Sequence, residues 1–436
     1  MSRMHLDMFC YQCAMTAGGV GCTVRGVCGK SATAARLQDF LIFGLKGTSA
    51  YAYHAKELGY SDPKVDEFIN EAMFTTLTNV NFDEKALFDY LLKLGEMNIR
   101  VMRLLKKAHI ETYGEPEPTY VRTSPVKGRG IIVTGHSLKA LEELLKQAEG
   151  TGIKIYTHSE MLPAHGYPKL KKYEHLVGNL GKAWHDQRWL FARYPMAVLA
   201  TANCVVLPAD AYRDRMFTTG PVALPGVKYI RGHDFSEVIK KVQELPEVQG
   251  EESEVKLLTG FSRSAILRHA KRIKELVEEG RLRRIFVIGG CDSPLRENNY
   301  YTELAMKLPK DTLILTMGCL KYRINDLELG DIEGVPRLLD LGQCNDTIVA
   351  LDLLPDLAKL LGVDINELPL TIVVGWLEQK AVSILLSLLY LGVKGLYLGP
   401  RLPAWINDDI LKILRERYDI KLVSDPETDL KAVLKS

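Results

Sequence analysis

Four cysteines stand within nineteen residues near the start of the chain, at Cys10, Cys13, Cys22 and Cys28. Thiolates grouped in this way commonly hold an iron–sulfur cluster, and that is the interpretation we favour. The spacing alone also suits a tetrahedral zinc ion, so zinc is the alternative at this point. The segment therefore predicts a metal site rather than a pair of disulfides.

The other four of the eight cysteines lie far apart, and each closes a run of apolar residues. One histidine and two glutamates occupy the same kind of position. Side chains at the carboxyl ends of strands in open α/β sheets converge on a common crevice, so these residues are expected to meet. The predicted set is His136, Glu160, Cys204, Cys291, Cys319, Cys344 and Glu378.

The residue types in this second set indicate which metal they would hold. Thiolates suit iron–sulfide bonding, whereas carboxylate and imidazole suit harder, oxygen-bridged iron. The mixture predicts an iron–sulfur–oxygen cluster rather than a plain cubane. Taken singly, a buried cysteine is more often an inert apolar residue, and a lone histidine or glutamate is more often a satisfied polar group. The joint pattern at seven strand ends favours the metal.

The elements that must position these residues fall into three regions. Helical apolar spacing at 34–43 and 85–94, with turn and cap residues at 61–63 and 81–83, predicts a bundle of three helices within residues 1–115. Residues 114–119 carry two prolines and no apolar side chain before the next region, which marks a linker.

From residue 130 strands and helices alternate, a rhythm that predicts parallel sheets covered by helices. We assign residues 116–250 to a first Rossmann-like α/β domain, with strands near 130–136, 153–157 and 197–204 and a helix at 138–149. Residues 251–436 form the second, with a helix at 262–279 and later strands at 284–291, 312–316, 371–374 and 395–398. The fold class is thus α/β, with an N-terminal cysteine segment and helical bundle before two Rossmann-like domains.

The composition narrows the function classes. Of the 436 residues 47% are hydrophobic and 25% are charged, and the formal net charge is +2. The sequence shows no cluster of basic residues that would indicate nucleic acid as a main partner. The most apolar stretch, residues 381–393, is too short to span a bilayer. No secretory signal is evident, and we expect a cytoplasmic location, where thiols stay reduced.

These residues closely resemble the hybrid-cluster proteins, a family also known as prismane proteins or hydroxylamine reductases. The likeness covers nearly the whole chain, and its motifs are long and specific. They are Met8-Phe-Cys-Tyr-Gln-Cys-Ala-Met, Gly21-Cys-Thr-Val-Arg-Gly-Val-Cys-Gly-Lys30, Gly135-His136, Thr157-His-Ser-Glu-Met-Leu-Pro-Ala-His-Gly-Tyr-Pro168, Asn203-Cys204, Gly289-Gly-Cys-Asp292, Gly318-Cys-Leu-Lys-Tyr-Arg323, Gly342-Gln-Cys-Asn-Asp346, Glu378-Gln-Lys-Ala-Val382 and Leu398-Gly-Pro-Arg-Leu-Pro403.

The resemblance implies two clusters. The first would be a [4Fe–4S] cluster held by the four N-terminal cysteines, and the second a hybrid [4Fe–2O–2S] cluster held by the seven strand-end residues. In the family the cysteine that matches Cys291 can carry a persulfide sulfur, and Lys380 matches a lysine near the cluster. Three features depart from the pattern. Ala14-Met15 replaces a more polar pair, Ser159 replaces a glycine, and the chain is shorter between residues 30 and 130, as in a short subclass with one helical bundle.

The implied activity is the reduction of hydroxylamine to ammonia and water, with nitric oxide as the family's other proposed substrate. Glu378, Lys380 and His136 are the implied catalytic residues: Glu378 would leave the metal to open a site, and Lys380 or His136 would deliver protons. A separate electron-donor protein and a monomer or homodimer are expected. The rival functions are a nitric oxide sensor or protein S-nitrosating factor, and a carbon monoxide dehydrogenase-like enzyme that would need nickel.

Overall fold

The structure is a computed structural model that describes residues 6–252, 255–375 and 378–435. Within these ranges the α-helices are α1 (Ala32–Glu57), α2 (Pro63–Thr75), α3 (Glu84–Tyr113), α4 (Leu138–Ala148), α5 (Pro168–Lys171), α6 (Gln187–Arg193), α7 (Asp210–Arg213), α8 (Ser236–Glu244), α9 (Arg263–Leu267), α10 (Ala270–Glu278), α11 (Asn299–Lys307), α12 (Thr347–Leu361), α13 (Gln379–Tyr390), α14 (Asp408–Tyr418) and α15 (Pro426–Lys435). The strands are β1 (Thr119–Arg122), β2 (Gly130–Thr134), β3 (Lys154–Thr157), β4 (Leu176–Asn179), β5 (Ala197–Ala200), β6 (Met216–Thr219), β7 (Lys228–Ile230), β8 (Lys256–Thr259), β9 (Arg284–Gly289), β10 (Thr312–Met317), β11 (Asp331–Ile332), β12 (Val335–Pro336), β13 (Leu338–Asp340), β14 (Leu370–Val374), β15 (Tyr397–Leu398) and β16 (Lys421–Leu422).

The chain divides into two compact units. One consists of Met1–Lys106 and Thr371–Ser424, and the other of Lys107–Leu370 and Asp425–Ser436. The first unit holds α1, α2 and most of α3, so the predicted N-terminal helices are confirmed. It also holds the short strands β15 and β16, which pair in parallel, with β15 pairing β14 in parallel as well.

The apolar helix α13 is the centre of the first unit. Its backbone comes so close to α1 and α3 that a side chain at Gly47 or Gly95 would collide with the carbonyl of Gln379 or Leu386. The Asn98 side-chain amide donates a hydrogen bond of 3.0 Å to the Ser387 hydroxyl in this buried contact. Glycine at both contact points explains why a helix this apolar can be enclosed by two others.

The second unit is built on a six-stranded parallel sheet with the order β4-β3-β2-β5-β6-β7. Strand β2 pairs with β3 on one side and with β5 on the other, and its five residues are all buried. Burial on both faces explains why the sequence of β2 is a continuous apolar run without alternation. The order reverses between β2 and β5, which is where ligands bind in open α/β sheets.

A second set of parallel strands in this unit runs in the order β13-β10-β9, with Leu313 opposite Ile285. The predicted parallel α/β architecture is therefore confirmed. One local expectation is wrong, because the helix predicted over 262–279 is two helices, α9 and α10. The chain tightens between them, where the His269 amide bonds to the carbonyl of Ile266, three residues back, at 2.9 Å. Among the described residues, no helix combines the length and apolar character needed to cross a bilayer.

Candidate metal centres

The N-terminal cysteine segment is a compact loop with little regular structure. Cys10 and Cys22 lie opposite each other in an isolated antiparallel bridge, with backbone hydrogen bonds of 3.1 and 2.9 Å. The Thr16 hydroxyl donates to the carbonyl of Cys13 at 2.6 Å and turns the chain back between them. The bridge brings together two of the four cysteines that the sequence predicts to share one metal.

One buried arginine fastens this loop to the helices. From α1, Arg36 donates to the backbone carbonyls of Asp7 and Ala404 at 2.6 and 2.8 Å. Beneath it, Met8 is fully buried and packs in one cluster with Cys22 and Ala35. A loop with little secondary structure of its own is therefore held by a fixed helix, as a cluster-binding segment requires.

The environment of Cys22 favours a metal-binding thiolate. Hydrogen bonds from the backbone at Ala17 and Val27 lower the pKa of the Cys22 thiol, and the charge of Lys30 adds to this effect. The thiolate is the form that binds metals, so these backbone groups suit a cluster. The four cysteines fit a [4Fe–4S] cluster in number, type and local electrostatics.

The segment also exposes an unusual amount of apolar surface. Tyr11 is 68% exposed, Val20 75% and Val24 69%, and Phe9, Met15 and Val27 are each about half exposed. We call these six residues the apolar collar of the cysteine segment. Large apolar side chains exposed together in one segment commonly mark a contact site for another molecule.

The predicted strand-end residues of the second unit lie where tight turns bring loops together. His136 follows β2 and Gly135, whose φ is +112°. A side chain at Gly135 would place its Cβ 2.6 Å from the Thr201 hydroxyl, in the loop that follows β5. Glycine is thus required for the loops carrying His136 and Cys204 to approach each other.

The same device operates after β9, β10 and β13. Gly318 precedes Cys319 with φ +76°, and a Cβ there would lie 2.5 Å from the carbonyl oxygen of Gly290. The Gly318 amide donates to the Gly342 carbonyl at 3.2 Å. These close backbone contacts place the loops of Cys291, Cys319 and Cys344 side by side.

Three of the predicted ligands meet directly. Nε2 of His136 lies 3.5 Å from a carboxylate oxygen of Glu160 and 3.5 Å from the sulfur of Cys344. The Cys344 amide donates to that same carboxylate oxygen at 2.8 Å. One ligand atom from each residue lies within 4.8 Å of the others, and all three residues are buried.

Cys319 connects this group to the remaining cysteines. A hydrogen bond with Cys204, burial, and the nearby Glu160 and Cys291 together raise the pKa of the Cys319 thiol well above its usual value. Six of the seven predicted residues of this set are therefore neighbours in the second unit: His136, Glu160, Cys204, Cys291, Cys319 and Cys344.

Several thiol and carboxyl groups lie close together in this site, and whether they can ionise decides whether they can bind a metal. Buried thiols and carboxylates that face one another resist ionisation, as the raised pKa of Cys319 shows. Bound cations invert that preference, because a coordinating thiol loses its proton outright. The set offers soft sulfur together with hard oxygen and nitrogen donors, so the residues fit a mixed iron–sulfur–oxygen cluster.

The other two predicted residues, Glu378 and Lys380, lie in the first unit. Glu378 is the N-cap of α13, and its carboxylate accepts hydrogen bonds from the backbone amides of Lys380 and Ala381 at 2.9 and 3.2 Å. Trp376 and Leu377, which belong to the predicted strand-end pattern, lie outside the described residues. Metal binding by Glu378 stays a prediction.

Several polar residues that support the site were not singled out from the sequence. Gln343 donates to the backbone carbonyls of His136 and Glu160 at 3.2 and 2.9 Å, joining three loops. Asn203 donates to the sulfur of Cys204 at 3.1 Å. Each of these residues directly precedes a predicted ligand in the sequence, and this position is the feature from which a supporting role could have been predicted.

A fully buried ion pair fixes the loop that follows β10. Lys321 reaches Asp340 at 2.6 Å and the carbonyl of Gly342 at 2.7 Å, and both charged side chains are entirely inaccessible to solvent. Because Lys321 lies two residues after Cys319 and Gly342 two residues before Cys344, the pair joins two ligand-bearing loops. Outer groups of this kind orient the ligands of metal sites.

Comparison with known proteins identifies the family of this chain. A family model described as Prismane/CO dehydrogenase family matches residues 8–92 and 83–431. The chain belongs to this family. It is 60% identical over 430 residues to a Thermotoga maritima protein named hydroxylamine reductase, covering 99% of this chain and all of that protein. A protein of the same name from Methanothermobacter thermautotrophicus is also 60% identical, over 98% of this chain and all of that protein.

The chain also matches a longer relative and a solved structure of lower sequence identity. A hydroxylamine reductase from Geobacter metallireducens is 39% identical over an alignment of 548 residues, which covers 98% of this chain and all of that protein. This chain, at 436 residues, is thus a short member. A carbon monoxide dehydrogenase from Thermococcus matches with a TM-score of 0.77 and 18% identity, covering 99% of this chain and 90% of that one. This likeness shows a common fold.

Proposed function

We propose that this prismane-family protein reduces hydroxylamine to ammonia and water. The balanced step is NH₂OH + 2e⁻ + 2H⁺ → NH₃ + H₂O, in which the N–O bond breaks. The observation that carries the proposal is the convergence of a histidine, a glutamate and four cysteines at strand ends, all of them buried except the partly buried Cys204. The name shared by relatives at 60% identity over their full length supports the choice of substrate.

The proposal assigns two metal groups to the protein. Cys10, Cys13, Cys22 and Cys28 would hold a [4Fe–4S] cluster, and the six converging residues together with Glu378 would hold the hybrid [4Fe–2O–2S] cluster. When bound, the hybrid cluster would supply electrons and a Lewis-acid site that binds the substrate. The protein supplies the ligands, a dry cavity and the protons.

Electrons are proposed to enter at the N-terminal segment. Three of its cysteines are only partly buried, and the apolar collar around them is open to a protein partner. Buried, strand-end ligands suit the opposite task, because exclusion of water protects a reduced centre from side reactions. A separate donor protein, in the cytoplasm, is the source of electrons in this scheme.

Proton delivery is assigned to His136 and Lys380, and control of the open position to Glu378. The Glu378 carboxylate has two backbone amides to bind at the start of α13. A carboxylate that leaves a metal keeps most of its stabilisation if such donors are available, since charged hydrogen bonds are strong. This cap supports the proposal that Glu378 moves during turnover.

The test is turnover of hydroxylamine by a Glu378→Gln variant with both clusters confirmed by spectroscopy. Glutamine can still accept the two backbone hydrogen bonds but cannot serve as an anionic ligand, so we expect ammonia production to fall about 100-fold. Glu416→Gln on α14 is the matched control, and it should keep full activity. Undiminished turnover in Glu378→Gln would exclude the proposed role.

Two further measurements separate the rival functions. Nitric oxide is the second proposed substrate, with the step 2NO + 2e⁻ + 2H⁺ → N₂O + H₂O, and gas analysis with the same variants tests it.

Metal analysis distinguishes the reductase from carbon monoxide dehydrogenase chemistry, because stoichiometric nickel would overturn our assignment. A protein with full clusters, no turnover of either substrate and transfer of nitrosyl groups to other proteins would instead be a sensor.

A further inference from the structure

Ser159 has a backbone conformation that is unusual for its residue type. It is the first residue of the 3₁₀ helix Ser159–Gly166, which follows β3, and its φ is +54°. L-residues other than glycine and asparagine seldom adopt this left-handed conformation, because the Cβ approaches the following carbonyl. Glycine would relieve this crowding, so the presence of a side chain here calls for a physical reason.

The side chain has a specific partner. The Ser159 hydroxyl oxygen lies 3.2 Å from the sulfur of Cys319, and both residues are almost completely buried. A thiolate that binds metal carries no proton, so in a loaded site the hydroxyl must donate and the sulfur must accept.

The surrounding structure holds this contact in place. The Tyr322 hydroxyl donates to the backbone carbonyl of Ser159 at 2.7 Å. Tyr322 is itself buried, three residues after Cys319, and it packs in one apolar cluster with that cysteine. Cys319 contacts the Ser159 hydroxyl, and Tyr322 holds the Ser159 backbone. Both residues therefore belong to the same short segment.

We propose that Ser159 is a positioning residue that tunes the hybrid centre, by donating a hydrogen bond to the Cys319 thiolate and raising the reduction potential. The inference rests on the proposed function in that it requires metal at this site. Reduction adds negative charge to the cluster and its sulfur ligands. A hydroxyl donor stabilises that charge, and hydrogen bonds to sulfur are among the factors that set iron–sulfur potentials.

The first test is a redox titration of the loaded protein monitored by electron paramagnetic resonance. Ser159→Ala and Ser159→Gly both delete the donor, so each should lower the ratio of reduced to oxidised centre about tenfold at a fixed potential. For a one-electron couple this ratio corresponds to about 59 mV. The N-terminal cluster signal should keep its potential in both variants.

The control is Thr316→Val, which removes another buried hydroxyl three residues before Cys319. That hydroxyl donates to the carbonyl of Ile288 at 2.8 Å rather than to sulfur. The variant should leave the potential of the hybrid centre unchanged. A shift equal to that of the Ser159 variants would show that any nearby hydroxyl loss has this effect, and it would overturn the proposal.

The second test uses the metal-free protein and separates the hydroxyl from the backbone. Glycine accepts a φ of +54° without a steric penalty, whereas alanine does not. Chemical unfolding should therefore show Ser159→Gly to be more stable than Ser159→Ala, while the two loaded variants share one potential. A potential shift in the glycine variant alone would assign the effect to the backbone and overturn the proposal.

The outcomes distinguish this inference from the proposed function. A wild-type protein that binds iron only at the N-terminal segment contradicts the hybrid centre itself. Full iron content and the expected spectrum, with wild-type potentials in both Ser159 variants, contradicts the role of Ser159 and leaves the proposed function intact.

Discussion

The two cysteine-bearing regions of this protein bring their predicted metal ligands together in different ways. In the N-terminal segment four cysteines lie close in sequence, on a loop with exposed apolar side chains. In the second unit the ligands are scattered from His136 to Cys344 and are brought together by strand ends. The pKa of Cys22 is lowered by backbone hydrogen bonds, whereas the pKa of Cys319 is raised by Cys204, burial and neighbouring acids.

Because one set of cysteines is local and the other is dispersed, the two sites depend on different contacts. A local loop needs only its anchor to α1 to keep its cysteines together. A centre assembled from six strand ends needs every loop contact between them, so it should be lost when those contacts are weakened.

Lys321→Met should damage the buried centre most. It leaves the Asp340 carboxylate inside the protein without its cation, at a cost of about 3–5 kcal/mol in the free energy of unfolding. Urea denaturation of the metal-free protein measures the loss. The spectroscopic signal of the proposed N-terminal cluster should survive at low temperature, while iron at the second centre is lost.

The double variant Lys321→Met/Asp340→Leu is the control. Replacing both charges with apolar side chains removes the uncompensated carboxylate, so most of the stability should return. A double variant as unstable as Lys321→Met would show that the methionine itself disrupts packing and that the ion pair is not the cause.

Removing one ligand from each region should show that the two sites are independent. Cys319→Ser should lower hydroxylamine turnover about 100-fold and abolish only the hybrid signal, because a lost ligand opens the cluster. Cys13→Ser should leave about half of the iron bound, since four of the eight iron atoms of the two proposed clusters would belong to the N-terminal one. Iron analysis with spectroscopy measures both, and loss of both signals in either variant would contradict independence.

The sequence predicted the ligands of both regions for different reasons. Spacing alone identified the four N-terminal cysteines, and the strand-end rule identified His136, because apolar runs and glycines mark where buried parallel strands finish. Side-chain contacts across loops are not encoded in spacing, so the roles of Gln343 and Lys321 emerged only from the structure. The proposed domain boundaries and the metal-binding roles of the four N-terminal cysteines and the seven strand-end residues, Glu378 included, stay predictions.

Ser159 shows where sequence and structure inform each other. The sequence marked it as a departure from the family's glycine, without a reason for the change. The structure adds its positive φ and its contact with Cys319. The helix predicted over 262–279 shows the converse, because its apolar periodicity continues through the tight turn at His269 and conceals the break.

His185 should make the buried region sensitive to alkaline pH. Burial lowers the pKa of its ring, but hydrogen bonds to Asp186 and to Asp292, which follows Cys291, outweigh burial and raise the pKa to about 9. Because the unfolded value is near 6.5, the protonated ring stabilises the fold fully below that pH, and this contribution disappears as the pH rises through 9. With allowance for solvent screening the contribution is about 1–2 kcal/mol.

The measurement is unfolding free energy at pH 6 and pH 10 for the wild type and His185→Gln. The wild type should be the more stable at pH 6, and the two proteins should approach each other at pH 10. An equal difference at both values would show that His185 acts through packing and not through its charge.

The smallest expected effect belongs to the apolar collar. Val24→Ala should change the unfolding free energy by less than about 0.5 kcal/mol, because Val24 is exposed. Its matched counterpart Val133→Ala, in the buried strand β2, should cost about 2 kcal/mol through the lost burial. Reduction of the N-terminal cluster by dithionite should be equally fast in the wild type and Val24→Ala, since a small reductant needs no docking surface. A loss at Val24 as large as that at Val133, and dependent on protein concentration, would show that the collar is covered in solution by a second copy. The cysteine segment would then share the buried character of the second centre, and the contrast between the two regions would hold only for the isolated chain.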